Sequence, residues 1–259
     1  MGICFTGNDQ KEKIDNAKIT KVYIFDNMKL SRLKIDEFTP IENVKLFSAT
    51  DNYLSELPTL FFDKIKSLIK INLSHNEFIK FDQILFKFYQ TLQSIDFSFN
   101  QISLIPNEIS SFTFLTELNL SNNTLSEIPI VLTELINLES LDLSNNKIAM
   151  LPDNLIIMKK LLFVNLSHNK ITVIPSNNWE KSQISKLDLS YNDIEIIPSE
   201  ILGKSQITRL FLKENKKMTL KTLLNTEGYE SYMKRRKSVK DQGFEHDLDI
   251  SFTLCGLDG

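Results

Sequence analysis

The body of this chain contains no glycine. Of seven glycines in 259 residues, Gly2 and Gly7 lie at the start, and Gly203, Gly228, Gly243, Gly256 and Gly259 lie near the end. Loops that cradle phosphate, such as G-x-G-x-x-G and G-x-x-x-x-G-K-[ST], need glycine so that backbone can approach the phosphate closely. The nucleophile elbow G-x-S-x-G is missing as well. Cysteine is equally scarce, with Cys4 and Cys255 at opposite ends. Two cysteines build no disulfide framework, which predicts a reducing compartment and a cytoplasmic protein. Positive charge is not in excess: 30 basic and 33 acidic residues give a net charge of −3. No global field is available to hold a nucleic acid, so none is expected as a partner. No run of apolar residues is long enough to span a membrane, and the first 18 residues hold no apolar stretch of the secretory kind. The length suggests one or two domains.

Asparagine, by contrast, recurs at fixed intervals. Asn52, Asn76, Asn100, Asn123, Asn146, Asn169, Asn192 and Asn215 are spaced 24, 24, 23, 23, 23, 23 and 23 residues apart. Asn27 precedes them by 25 and is taken as a degenerate first repeat. Apolar residues stand 8, 5 and 3 positions before each asparagine, as in Leu115, Leu118 and Leu120, and again 2 positions after all but the last, as in Leu125. Six of the seven prolines stand 6 positions after an asparagine, at Pro58, Pro106, Pro129, Pro152, Pro175 and Pro198, and Asp82 takes that slot in the full repeat that lacks one.

This pattern resembles the leucine-rich repeat, L-x-x-L-x-L-x-x-N-x-L, with an I-P continuation over roughly residues 19–216. The 23-residue spacing is similar to that of intracellular repeat proteins such as Ras-suppressor, Scribble and yeast adenylate cyclase. The resemblance implies an α/β fold: a right-handed horseshoe solenoid with a parallel concave β-sheet and an irregular or short-helical convex side. The physics agrees. Period-two apolar residues point one face of a short strand inward. The asparagine amide offers both donor and acceptor where the strand turns away, replacing glycine turns. Proline presets φ on the outer arc and discourages a second regular sheet there. No coil buries its own core, so stacking is obligatory and the ends need caps. The expected organisation is a flexible tail or cap over 1–18, about nine repeats over 19–216, a capping helix with a basic run over 217–240, and an acidic tail or edge strand over 241–259.

The concave strand positions separate consensus from information. Four positions before the asparagines stand alternating Asn and Asp residues (Asn72, Asp96, Asn119, Asp142, Asn165, Asp188), and two before stand serines. Acids two coils apart on an open face lack the proximity and the pocket that acid–base catalysis needs, so these columns are expected to exchange cross-strand hydrogen bonds. No catalytic residue, metal site or cofactor is expected, and His75 and His168 are four coils apart. Two clusters interrupt the columns: Tyr53, His75 and Phe99, with Tyr23 and Phe25, near one end, and Phe163, His168, Lys186, Tyr191, Arg209 and Phe211 near the other. Aromatics and arginine dominate protein–protein hot spots, so these residues are predicted to bind a protein partner. Tyr23, Phe25 and Phe211 can equally belong to end caps. Trp179 is expected to pack. The arc Phe81, Phe86, Phe88 and Tyr89 suggests a thicker convex helix with a second contact face.

The ends add modification and domain readings. Met1-Gly2-Ile3-Cys4-Phe5-Thr6 fits M-G-x-x-x-[ST], which makes Gly2 a candidate myristoyl acceptor and Cys4 a candidate palmitoyl acceptor, together a membrane anchor. Leu220, Leu223, Leu224, Tyr229, Tyr232 and Met233 predict an amphipathic capping helix. Arg235-Arg236-Lys237-Ser238 suits a basophilic kinase, with Ser238 as phosphosite. Asp249 to Gly256 alternates like a strand and faintly resembles the first strand of metal-dependent (PPM-type) protein phosphatases. Two functions follow. One is a non-catalytic scaffold of intracellular signalling, its partner a small GTPase or another signalling protein, tethered to a membrane by lipid. The alternative is the regulatory repeat module of such a phosphatase, ending before the catalytic domain.

Overall fold

The computed structural model describes residues 21–33 and 42–240. Its contacts divide the chain after Thr124 into two compact units. The first carries five short parallel strands, β1 (Val22–Ile24), β2 (Leu46–Ser48), β3 (Lys70–Asn72), β4 (Ser94–Asp96) and β5 (Glu117–Asn119), paired in chain order. Return segments hold α1 (Thr59–Phe62) and 3-10 helices at Gln83–Phe88 and Asn107–Ser111. The second carries β6 (Ser140–Asp142), β7 (Phe163–Asn165), β8 (Lys186–Asp188) and β9 (Arg209–Phe211), again parallel and in chain order. Its returns are 3-10 helices at Ile130–Glu134 and Trp179–Lys181 with α2 (Asp153–Ile156) and α3 (Ser199–Lys204), followed by α4 (Leu220–Leu224) and α5 (Tyr229–Lys240). Each unit is an α/β solenoid in which every strand presents its central residue, such as Ile95 or Leu187, to the core.

The asparagines hold successive coils together from inside. Asn100 is typical. Its Nδ2 donates to the carbonyls of Phe97 (3.0 Å) and Ser98 (3.1 Å) in its own coil and of Leu73 (3.0 Å) in the coil before. Its Oδ1 accepts the Phe78 N–H at 2.9 Å. The same set recurs at Asn76, Asn123, Asn169 and Asn192. All are buried. The amide does not itself turn the chain. The residue before each asparagine does: Asp51, His75, Phe99, Asn122, Asn145, His168, Tyr191 and Glu214 all have φ between 54° and 57°. Glycine adopts that left-handed conformation most cheaply, yet none of these positions uses it.

The first coil corrects the sequence register. Tyr23, not Val22, pairs with Phe47, so Tyr23 and Phe25 occupy the two inward strand positions and Ile24 faces out. Asn27, with φ of 58°, is therefore the turn residue, and Met28 stands where an asparagine would be. Tyr23 packs on Phe25 (4.7 Å between centroids) and Phe61 (5.5 Å), closing the open end of the core. Burial raises its phenol pKa to about 12. The convex arc is also reassigned. Phe81 and Phe88 are buried, and Phe86 stacks on Phe81 and Phe112, so of the four residues proposed as a contact face Tyr89 alone is largely exposed. Asp82 replaces proline by capping this helix: its carboxylate accepts Ile84 N–H (3.1 Å) and, from the coil before, Leu57 N–H (2.8 Å).

At the other end α5 packs on α3. The Arg235 guanidinium donates to the carbonyls of Leu202 (2.7 Å), Ile207 (3.2 Å) and Ile201 (3.3 Å), and burial lowers its pKa without discharging it. Gly228, at φ +87°, lies so close to Gly203 that a Cβ there would stand 2.4 Å from the Gly203 nitrogen.

Replacing one ladder asparagine strands several buried polar groups, each costing about 1–3 kcal/mol. Asn100→Ala is expected to lower stability in urea unfolding by at least about 3 kcal/mol. A loss under about 1 kcal/mol would mean that water substitutes for the amide.

Candidate functional site

The exposed side chains of the strands form one face in each unit. In the second unit, β7, β8 and β9 bring Phe163, Lys186 and Arg209 into register, followed by Asn165, Asp188 and Phe211. Phe163 and Phe211 are 45% and 37% exposed, a large apolar area to leave in water. The Lys186 ammonium sits 5.8 Å from the centroid of Phe211, and Lys213, which the sequence reading left out of the site, sits 5.9 Å from that of Tyr191. His168 stacks on Tyr191 at 4.1 Å with the rings 9° from parallel. The structure thus brings together the C-terminal group read from sequence and adds Lys213 to it.

The first unit repeats the stacked pair, here beside a carboxylate. His75 stacks on Phe99 at 4.0 Å and 11°, and its Nδ1 is 3.9 Å from the Asp51 carboxylate. Tyr53, in the same coil as Asp51, is 51% exposed. Tyr23 and Phe25 do not join this group, because they are buried in the end of the core. Both stacks occupy the left-handed turn column, where a bulky side chain costs roughly 1–2 kcal/mol of backbone strain. A strained aromatic ring held in solvent is a pointer to function, since packing does not explain it.

The polar columns hold structure. Asn119 Nδ2 donates to Asp96 at 3.1 Å, and Asn165 to Asp142 at 3.0 Å, so amide and carboxylate alternate across the strands as expected. Each also accepts the N–H two residues on, as Asp188 does from Ser190 at 2.9 Å. Among the described residues no group of three or more His, Cys, Asp or Glu side chains is placed to hold a metal, and no helix is long and apolar enough to cross a membrane. Trp179 is fully buried, with Nε1 donating to the Pro175 carbonyl at 2.7 Å. Ser238 is exposed and donates to the Arg235 carbonyl at 2.7 Å, while Arg235 itself turns inward. Gly2, Cys4 and the strand-like segment 249–256 lie outside the described residues.

One exposed row was missed. Met150, Val173 and Ile196 are 72%, 67% and 65% exposed, and Met150 pairs with Val173 in an isolated parallel bridge just ahead of the prolines. The signal was available in Met150-Leu151-Pro152, Val173-Ile174-Pro175 and Ile196-Ile197-Pro198. Adjacent residues of an extended chain point opposite ways, so only one of each apolar pair can reach the core.

Asparagine already fills the turn slot at Asn122 and Asn145 with φ of 54°. Tyr191→Asn is therefore expected to leave stability within about 1 kcal/mol, relief of strain offsetting the lost ring stack. Tyr191→Val, β-branched at positive φ, is expected to be clearly less stable than Tyr191→Asn in the same urea titration.

Known proteins give the same answer. The family described as Leucine rich repeat matches residues 136–194, Leucine Rich repeats (2 copies) matches 113–157, and Leucine Rich Repeat matches 91–112. A solved leucine-rich repeat protein of Leptospira interrogans superposes with a TM-score of 0.58 at 27% identity, over 76% of this chain and 59% of that one. The plant peptide hormone receptor RGFR1, solved in complex with RGF2, superposes with a TM-score of 0.52 at 24% identity, over 66% of this chain and 32% of that one, a likeness of fold. No curated protein sequence matches. Over residues 91–194 the chain carries leucine-rich repeats, and the asparagine ladder orders their coils.

Proposed function

We propose that this chain is a non-catalytic scaffold of intracellular signalling and that it captures a protein partner on the outward strand face of its second unit, through Phe163, His168, Lys186, Tyr191, Arg209 and Phe211. A leucine-rich repeat array is typically an interaction fold rather than an enzyme. The observation that carries the reading is the set of half-exposed rings and cations assembled from three adjacent coils, two of the rings in contact with lysine ammoniums. Aromatic and arginine side chains supply most of the energy of protein interfaces, and rigid strands hold them at low entropic cost. Tyr53, His75 and Phe99 form the second candidate surface, in the first unit. A small GTPase of the Ras type is the partner class that the family resemblance favours.

The test is affinity capture from native lysate with the full chain as bait. The combined variant Phe163→Ala, Lys186→Glu, Tyr191→Asn, Arg209→Glu should lose the captured proteins by tenfold or more while keeping its unfolding midpoint. Capture that survives all four changes, or that is lost only on changing Tyr53, His75 and Phe99, places the site elsewhere.

The membrane tether is part of the same reading and is supported by the M-G-x-x-x-[ST] start. Expressed in cells, the wild-type chain should partition with membranes, and Gly2→Ala should move it to the soluble fraction. Equal partitioning of the two would refute acylation at Gly2.

A further inference from the structure

We infer that Ser238 is a site for an arginine-directed protein kinase, and that the phosphate placed there competes with the last coil for Arg235 and loosens α5 from the solenoid. One side chain is claimed by both. In Arg235-Arg236-Lys237-Ser238 two arginines stand three and two residues ahead of an exposed serine, a charge spacing that a kinase with carboxylates along its substrate groove reads. A basic run at a helix end ordinarily extends into water, yet Arg235 turns back into the coil. Its guanidinium donates to the Leu202, Ile207 and Ile201 carbonyls at 2.7, 3.2 and 3.3 Å.

Those carbonyls explain why an arginine stands there. Ile201 and Leu202 lie in the last turn of α3, where the final four carbonyls have no partner within the helix. A basic side chain is a common donor at such an end. The Arg235 guanidinium also lies 6.0 Å from the Tyr232 ring, and the Tyr232 hydroxyl accepts the Leu210 N–H at 3.1 Å. Residues 232 and 235, three apart, thus share the face of α5 that holds the last coil.

Ser238 is three residues further on, a neighbour of Arg235 on the helix, and its hydroxyl donates to the Arg235 carbonyl at 2.7 Å. A kinase reading Arg235 needs the same guanidinium that the last coil holds, so transfer selects the state in which the end of α5 has come away. In the transfer the serine Oγ bonds to the terminal phosphorus of ATP, the bond from that phosphorus to the ADP oxygen breaks, and the hydroxyl proton passes to the base of the kinase. The product sets a phosphate dianion with three acceptor oxygens beside Arg235. A bidentate, charge-assisted pair with the guanidinium is stronger than hydrogen bonds to neutral carbonyls. The dianion also sits in the last turn of α5, where the helix dipole opposes it. Both effects act against the docked cap, and by linkage the docked cap opposes phosphorylation to the same extent.

The test treats the full chain with the catalytic subunit of cyclic-AMP-dependent protein kinase and labelled ATP, and locates the phosphate by mass spectrometry. Wild type should take up phosphate at Ser238, and Ser238→Ala should lose that site. Gly228→Ala, which drives a Cβ into the Gly203 backbone, and Tyr232→Phe, which removes the acceptor of the Leu210 N–H, loosen the cap without altering the four-residue motif. Each should speed phosphorylation by at least about threefold, and uptake confined to these variants supports the same gating. Amide hydrogen exchange reads the reverse effect: in the phosphorylated chain α5 and the Leu210 N–H should exchange at least about tenfold faster, with β3 to β5 unchanged. Unchanged exchange in β3 to β5 also shows that each variant is otherwise folded. Arg235→Gln removes the contested side chain, so its α5 should exchange faster before modification, and phosphate driven onto Ser238 with excess kinase should add less than about threefold. No uptake at Ser238 in any form, equal rates in wild type and both loosened variants, or an α5 whose exchange ignores the phosphate would overturn the inference. So would an equal acceleration in the Arg235→Gln chain, which would assign the loosening to the helix dipole alone.

Discussion

A buried primary amide with all its hydrogen-bonding capacity engaged is what the rest of this molecule depends on. Each ladder asparagine faces carbonyls from two coils and an N–H from one, in a place that water does not reach. No other side chain of that size offers two donors and an acceptor in one plane. Aspartate would set its lone pairs against carbonyl oxygens, and an aliphatic residue would leave every one of those groups unpaired. The apolar columns provide the driving force for stacking, but they are tolerant of identity: Leu, Ile, Val, Phe and Ala all occur at the inner strand positions. The amide is not tolerant, and it sets the coil-to-coil register on which any surface built from adjacent strands relies.

That register makes the turn column available for other uses. A chain reversal at positive φ is ordinarily assigned to glycine or asparagine, and three coils here use asparagine, at Asn27, Asn122 and Asn145. Four others carry His75, Phe99, His168 and Tyr191, which form two stacked pairs one coil apart. The strain is affordable because the ladder holds the backbone on both sides. Rings fixed in this way lose little further freedom when a partner arrives.

The repeat, the inward columns and the choice of exposed residues in the second unit were legible because period and alternation map directly onto the strand face. Phe163, Lys186 and Arg209 align in the structure as they align in the counted sequence. The first coil was not legible. Asn27 sits one residue from the column, and a search for asparagines takes the nearest one, whereas pairing is decided by which residues fill the core, here Tyr23 and Phe25. The helix at Gln83–Phe88 was legible but the packing of its rings was not, for a related reason: aromatic residues that count as surplus along the chain pack against Phe112 in the next coil. Lys213 was passed over because its column is mostly serine, and only the geometry shows its ammonium near Tyr191.

The close approach of Gly203 and Gly228 has a consequence for how such an array changes length. Interior coils obey the same rules and are nearly interchangeable, so duplication or loss of one leaves its neighbours able to stack. The final coil is not interchangeable. Five residues after the proline, the other coils carry Asp63, Ser111, Glu134, Ile157 and Glu180, and only this one carries glycine. A Cβ at Gly203 would stand at ordinary contact, 3.6 Å from the Gly228 Cα, whereas one at Gly228 would stand 2.4 Å from the Gly203 nitrogen, so the cap is the side that admits no side chain. The last coil and its cap are matched like a key and its lock, and growth or contraction of the array is confined to the coils ahead of them.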